Sequence, residues 1–269
     1  MENEVIAEIK DRMLRNVDDA EMVLVGIGED FGEKTEKFEK SGEYVSFLKK
    51  TDRAEAFQWM VPFIEEIYVR NHKSEKETAA YRVLEELLQG KNYFIVSTRT
   101  DDFIYDTLLR KDRIVTPCGG YRLWQCVQGC GQQVCKRDEQ LLEKISRFLS
   151  ADGNAEEIKE PFCPVCGQPM VHNNVKARNY VEEGYLEEWG NYKKWLQGTV
   201  NRKLCVLELG VGMKYPGVIR WPFEKMVFFN QKSSLFRIHS KLYQLTEEIK
   251  ERGYKIEEKP VDFLINGFV

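Results

Sequence analysis

The sequence predicts an α/β fold: a parallel sheet with helices on both faces, interrupted by a small cysteine-rich module. Three observations carry this reading. Short apolar runs at Met22–Val25 and Tyr93–Val96, and Leu204–Leu209 with Glu208 its one charged residue, read as buried strands. Stretches of helical periodicity separate them, the alternation that parallel sheets require. Five of the seven cysteines fall between Tyr121 and Gly167.

The elements follow in order. Val5, Ile6, Ile9, Met13, Leu14 and Val17 recur at helical spacing and predict an N-terminal amphipathic helix. The first strand then runs into Gly26-Ile27-Gly28, a glycine turn. Residues 29–50 are polar and read as loop with room for one helix. Residues 52–70 read as helix, bent or restarted near Pro62. Ser74-Glu75-Lys76-Glu77 has the form of a capping box, Ala79, Val83, Leu84, Leu87 and Leu88 form a stripe, and Gly90 closes the helix. After the second strand, Asp101 to Arg110 suggests a short helix and Ile114–Thr116 a strand. Gln140 to Leu149 predicts a helix inside the cysteine module, and residues 177–197 an aromatic-rich one. Met226–Phe229 is a fifth strand candidate, Ser240–Arg252 a helix stopped by Gly253, and Tyr254–Ile256 an edge strand. The domain boundaries expected are 1–120 with 200–269 for the sheet, and 121–199 for the inserted module.

Composition narrows the function classes. Among 269 residues, 40 Lys and Arg face 44 Asp and Glu, a net charge of -4. That balance argues against a nucleic-acid partner held by bulk charge. No apolar run approaches the ~20 residues of a membrane span; the longest, Phe57 to Ile64, is short and holds Pro62. Met1-Glu2-Asn3-Glu4 lacks a signal-peptide pattern, so a cytoplasmic chain is expected. In a reducing compartment, seven cysteines point to metal ligands or free thiols before disulfides.

Cys126-x3-Cys130 and, 33 positions on, Cys163-Pro164-Val165-Cys166-Gly167 supply four thiolates. Four sulfurs in two close pairs suit Zn²⁺ in a closed, structural site. Unligated thiols and a redox pair are the alternatives. Cys135 is a substitute ligand for Cys130, and His172 reads as an exposed or core-packed histidine. The aromatic stretch Tyr180, Tyr185, Trp189, Tyr192 and Trp195 is interleaved with Glu182, Glu183, Glu187 and Glu188. The carboxylates would repel phosphates, so these rings are expected to pack against the module. Arg237 and His239 lie in a basic segment that reads as a phosphate contact or a solvated face.

A strand ending in Gly-x-Gly suggests a nucleotide-binding βα turn, although Phe31 stands where the last glycine of GxGxxG would be. Several features in order resemble the sirtuin family, nearest its bacterial macrodomain-linked branch, over about residues 5–250. Val23-Leu24-Val25-Gly26-Ile27-Gly28 matches the strand and start of the Gly-Ala-Gly NAD loop. Tyr93 to Asp101 matches the strand leading into the Thr-x-Asn-x-Asp motif. Gly119 and Tyr121-x-Leu123-Trp124-Gln125-Cys126 match the passage from the catalytic position into the zinc module, and both cysteine pairs match the module. Leu207-Glu208-Leu209-Gly210-Val211-Gly212 resembles a nucleotide-contacting loop, and Phe229-Asn230 a strand-end asparagine near the adenosine ribose.

The resemblance implies a Rossmann-like sheet, structural zinc on Cys126, Cys130, Cys163 and Cys166, and NAD or ADP-ribose held by Gly26, Gly28, Asp30, Gly210, Gly212 and Asn230. It implies a protein substrate or partner and NAD-dependent deacylation or ADP-ribosyl transfer. The departures fall on the chemistry. Glu29 and Asp30 follow Gly28 where a diphosphate would lie, and like charges ~4 Å apart repel by about 4 kcal/mol at an effective dielectric of 20. Arg99 replaces the asparagine that activates the nicotinamide ribose, Asp101 is kept, and Cys118 stands at the general-base position. An ion pair of Arg99 with Glu29 or Asp30, filling the former diphosphate and nicotinamide site, is one expectation. Reduced or lost deacylase activity, a pseudoenzyme, is the function expected. The alternative is an active transferase built around Cys118.

Overall fold

The chain is described here from a computed structural model covering residues 2–32, 41–52, 55–150 and 157–266. The side chains of Val5 and Ile6, and residues 33–40 of the expected loop, lie outside the described residues. Five parallel pairings make one six-stranded sheet. Its strands are β1 (Met22–Ile27), β2 (Tyr93–Ser97), β3 (Ile114–Val115), β7 (Leu204–Leu209), β8 (Ser233–Ile238) and β9 (Gly253–Ile256), in the order β3-β2-β1-β7-β8-β9. All residues of β1, β2 and β7 are buried, as parallel strands covered on both faces must be.

The period of two sends alternate residues to opposite cores. Val23, Val25, Ile27, Ile95, Leu207 and Phe236 meet helices α1 (Glu2–Asp19), α4 (Glu75–Leu87) and α8 (Pro260–Ile265). Met22, Leu24, Phe94, Val206 and Leu235 meet α6 (Leu186–Gln197) and α7 (Arg220–Phe229). One charged pair interrupts this second face. Glu208 and Arg237 are register partners on β7 and β8, both at least 99% buried. Arg237 donates to both Glu208 carboxylate oxygens, at 2.6 and 3.1 Å, and reaches Glu224 of α7 at 2.7 Å. The fork geometry satisfies charges that would otherwise be costly to bury.

The module is a three-stranded antiparallel sheet of β4 (Gly119–Cys126), β5 (Val134–Lys136) and β6 (Met170–Asn174), in the order β5-β4-β6. Helices α2 (Gly42–Asp52), α3 (Val61–Asn71) and α5 (Glu139–Leu149) pack on it through Tyr44, Phe63, Ile64, Trp124, Leu141 and Ile145. The restart at Pro62 is observed, with the proline in the first turn of α3. Tyr44 of α2 and Phe63 and Ile64 of α3 thus share one buried cluster with Trp124 of β4. Of the rings expected to pack on the module, Tyr192 and Trp195 of α6 instead lie tilted against Phe94 of the large sheet, with centroids 5.3 and 5.9 Å apart. The module's three strands were not anticipated.

Three further expectations change. Met226–Phe229 belongs to helix α7, not to a strand: Phe223 and Val227, four apart, face the core while Phe228 and Phe229 are exposed. A four-residue apolar run cannot separate the two structures by itself. The strand at this point is β8, masked by Ser233, Ser234 and Arg237. Ser240–Arg252 holds only a short 3-10 turn at Glu247–Ile249, and Asp101–Arg110 only one at Phe103–Asp106.

Candidate functional site

In an open α/β sheet, ligands bind beyond the carboxyl ends of the strands, where the strand order reverses. Here that place lies between β1, which leads to β2 on one side, and β7 on the other. Two loops meet there, Gly28–Gly32 after β1 and Gly210–Lys214 after β7. They touch backbone to backbone: the Gly28 N–H donates to Leu209 O at 2.9 Å and the Asp30 N–H to Gly210 O at 3.0 Å. A Cβ on Gly28 would stand 2.2 Å from Gly210 O, and Gly210 has φ +65° with Phe31 N 2.3 Å from its own missing Cβ. Only glycine permits this approach. Gly26 serves packing instead, its missing Cβ leaving room for Phe223 of α7 and for Ile219 just before that helix. Phe31 is 1% exposed and packs on Tyr81 with ring centroids 5.0 Å apart.

Both acids of the loop turn inward. Glu29 spans the crevice, its carboxylate accepting from Thr98 Oγ1 at 3.4 Å and from the Lys214 backbone N–H at 3.1 Å. Gly212 leaves it space, since a Cβ there would be 2.5 Å from Glu29 Oε1. Asp30 lies 3.1 Å from His239 Nε2 at the end of β8. Nδ1 of that ring accepts from the Lys241 and Leu242 N–H groups, which assigns the remaining proton to Nε2 and directs it at Asp30. Burial lowers the His239 pKa and Asp30 opposes the shift. Two carboxylates thus stand in the crevice beyond the carboxyl ends of β1 and β7, each with a partner from a neighbouring loop.

Arg99 does not pair as expected with Glu29 or Asp30. Its buried guanidinium lies 2.8 Å from Glu77 Oε1 and contacts Asp101. Burial disfavours the charge, but Asp101, Tyr81 and Glu77 outweigh it and raise the Arg99 pKa. The partner arises because Glu77 shares the buried face of α4 with Ala80, Tyr81 and Leu84, while the Ser74 side chain of the expected capping box makes no cap. Asp101 also accepts from the Phe103 N–H at 3.0 Å.

Cys118 is 2% exposed. Burial, then the Glu29 charge, pushes its thiol up to about 12. At neutral pH it is protonated, a weak base and a weak nucleophile. Tyr180 donates to the adjacent Pro117 carbonyl at 3.0 Å and stacks on Tyr185 at 6.2 Å.

Asn230 lies away from this group. It caps the carboxyl end of α7 and donates to the Thr199 and Arg202 carbonyls, next to the start of β8 and so at the amino ends of the strands, opposite the crevice. The strand-end polar residue is His239. The structure therefore gathers Gly28, Asp30, Gly210, Gly212 and Cys118 with Glu29, Thr98, Lys214 and His239, with the Arg99, Asp101 and Glu77 triad beside them. Thr98, Lys214 and Glu77 were missed by sequence reading. The face shared by Glu77 and Tyr81 was the available signal for one of them.

The cysteine site is separate. Cys126 ends β4, Cys130 follows in a 3-10 turn, and Cys163 and Cys166 flank the turn before β6. Their four sulfurs lie within 4.8 Å of one another. The Cys130 sulfur is 3.4 Å from that of Cys163 and 3.2 Å from that of Cys166. A zinc tetrahedron with Zn–S of about 2.3 Å asks for sulfurs ~3.8 Å apart, so the donor set fits. Backbone N–H groups of Cys166 and Val165 bring the Cys163 thiol down to about 7, favouring the thiolate a metal needs. Cys135 is exposed and outside this cluster, and Cys205 is buried in β7. His172 is packed in the core, 2.8 Å from buried Glu66.

No protein-family model matches the chain. It is 24% identical over 258 residues to a Staphylococcus aureus (strain Mu50 / ATCC 700699) protein named "Protein ADP-ribosyltransferase", covering 90% of this chain and 81% of the relative. It is 29% identical over 157 residues to a Fusarium oxysporum f. sp. cubense protein named "Probable bifunctional ADP-ribose hydrolase/ADP-ribosyltransferase", covering 56% of this chain but 26% of the relative. Among solved structures it resembles a Sir2 homologue mutant in complex with 2'-O-acetyl ADP ribose, with TM-score 0.58, 11% identity and 95% and 94% of the two chains covered. It also resembles Sir2Tm bound to a propionylated peptide, with TM-score 0.53, 12% identity and 95% of each chain covered. No helix among the described residues is long and apolar enough to cross a membrane. With its parallel sheet, four-cysteine cluster and these likenesses, the chain has a sirtuin-like fold.

Proposed function

We propose that the protein is a sirtuin-like member of the NAD-dependent ADP-ribosyltransferase and deacylase class in which classical deacylase activity is reduced or lost. The observation that carries this reading is the triad of Arg99 with Glu77 and Asp101. The family resemblance puts a neutral amide at position 99, to act on the nicotinamide ribose. A guanidinium fixed between two buried carboxylates cannot take that part. Nor can Cys118 act as the base while its proton is held by burial and by Glu29. The nearest branch of the family in this reading is the macrodomain-linked one, the partner is a protein, and the location is cytosolic. Zn²⁺ on Cys126, Cys130, Cys163 and Cys166 would fix the loops that follow β4 and precede β6, and would supply no chemistry, since four thiolates leave it no open position.

The test is nicotinamide release from NAD by metal-loaded protein, offered acylated peptides. The expected result is no release above the peptide-free background. Release that disappears in Cys118→Ala would overturn the proposal. One observation favours a second reading: both curated relatives carry ADP-ribosyltransferase in their names, one of them across 90% of this chain. In that reading the site around Cys118 transfers ADP-ribose to a protein side chain. Mass-spectrometric detection of ADP-ribose on an acceptor protein would support it.

A further inference from the structure

We infer that Glu29 is the specificity-determining residue of the crevice between β1 and β7: its carboxylate takes the place of a ligand's anion and keeps diphosphates out. This rests on the proposed reading of the crevice as an altered nucleotide site. Two hydrogen-bond donors converge there from different loops, the Thr98 hydroxyl at the end of β2 and the Lys214 N–H after β7. Both are spent on the one carboxylate, Thr98 on Oε2 and Lys214 on Oε1. The side chain is half-buried, and Gly212 leaves it room. A backbone N–H at a glycine-containing loop is the kind of donor that holds a phosphate oxygen. Here the chain supplies its own anion to it. An incoming diphosphate would have to displace Glu29 and still meet its negative charge in a partly desolvated crevice. A ligand without phosphate meets no such penalty. Glu29 therefore discriminates by charge, between nucleosides and nucleoside diphosphates.

The experiment is isothermal titration calorimetry on the metal-loaded full chain, with ADP-ribose and with adenosine as the phosphate-free control. Glu29→Gln keeps an acceptor for the Lys214 N–H while removing the charge. The expected result is at least ten-fold tighter ADP-ribose binding by Glu29→Gln than by wild type, about 1.4 kcal/mol, with adenosine binding unchanged between them. Equal ADP-ribose affinity, including no binding to either protein, would overturn the inference. So would an equal gain for adenosine, which would mean relief of crowding rather than of charge. If Glu29→Gln does not melt cooperatively, Glu29→Ala is measured against the same outcomes. The readout does not depend on turnover. Nicotinamide release by wild type would sink the proposed loss of activity, while the affinity ratio alone decides the role of Glu29.

Discussion

Replacing Arg99 by methionine takes the cation out from between Glu77 and Asp101 and leaves two carboxylates in the core. Each of the three side chains is 7% exposed or less. Removing one partner of a buried ion pair costs about 3–5 kcal/mol, because the group left behind has lost both water and its counter-charge. Methionine fills much of the arginine's volume, so little of the loss is a packing defect. In a chain near this length 1 kcal/mol is worth about 2–4 °C, giving a fall in Tm of about 6–20 °C. Differential scanning calorimetry at pH 7.5 reads this directly. The double variant Arg99→Met with Glu77→Gln removes one of the stranded charges, so its cost should be well below the sum of the two single changes. A fall under about 2 °C for Arg99→Met, or strict additivity in the cycle, would refute the triad as the reason Arg99 is tolerated.

Other outcomes follow from the same geometry. Burial pushes the Asp102 carboxyl up to about 6 from 3.8, against the hydrogen bond from the Arg122 N–H at 2.6 Å. The folded state thus holds this proton more tightly than the unfolded chain. The group's stabilisation is complete below about pH 4 and lost as pH rises through about 6, on the order of 2–3 kcal/mol. Asp102→Asn keeps the acceptor and tolerates the φ of 62° at this position, so it should raise Tm at pH 7.5 and match wild type near pH 4. Cys163→Ser should reduce bound zinc well below one equivalent per chain by metal analysis, and lower Tm as a chelator does to wild type. Alkylation of native protein at pH 7.5 should label exposed Cys135 and leave Cys118 intact by peptide mapping; rapid labelling of Cys118 would contradict its burial.

The parts of the fold that were legible are those whose cause is local. β1, β2 and β7 announce themselves because a parallel strand covered on both faces admits almost only apolar residues. The cysteine pairs are legible for a similar reason, since thiols three or four residues apart have few uses other than a shared metal. β8 stayed hidden because Arg237 breaks its apolar run, and the Glu208 carboxylate that makes a buried arginine acceptable lies 29 residues earlier. Met226–Phe229 was ambiguous because four apolar residues fit a strand core as well as a helix flank. At the crevice, the sequence put Glu29, Arg99 and Cys118 in loops but could not orient them. Arg99 finds Glu77 across 22 residues, and nothing between them signals the pairing. The inward turn of Glu29 depends on a backbone N–H after β7, which no side-chain pattern encodes.

The most direct test of the proposal that this crevice excludes NAD is a thermal-shift titration of zinc-loaded wild type with NAD into the millimolar range. A ligand at 100 times its Kd stabilises by about 2.7 kcal/mol, a rise of several degrees in a chain of this size. The expected result is no saturable rise, because the Glu29 and Asp30 carboxylates hold the diphosphate position. A saturable rise of several degrees at micromolar NAD would contradict the account, and would mean that both carboxylates give way to the ligand.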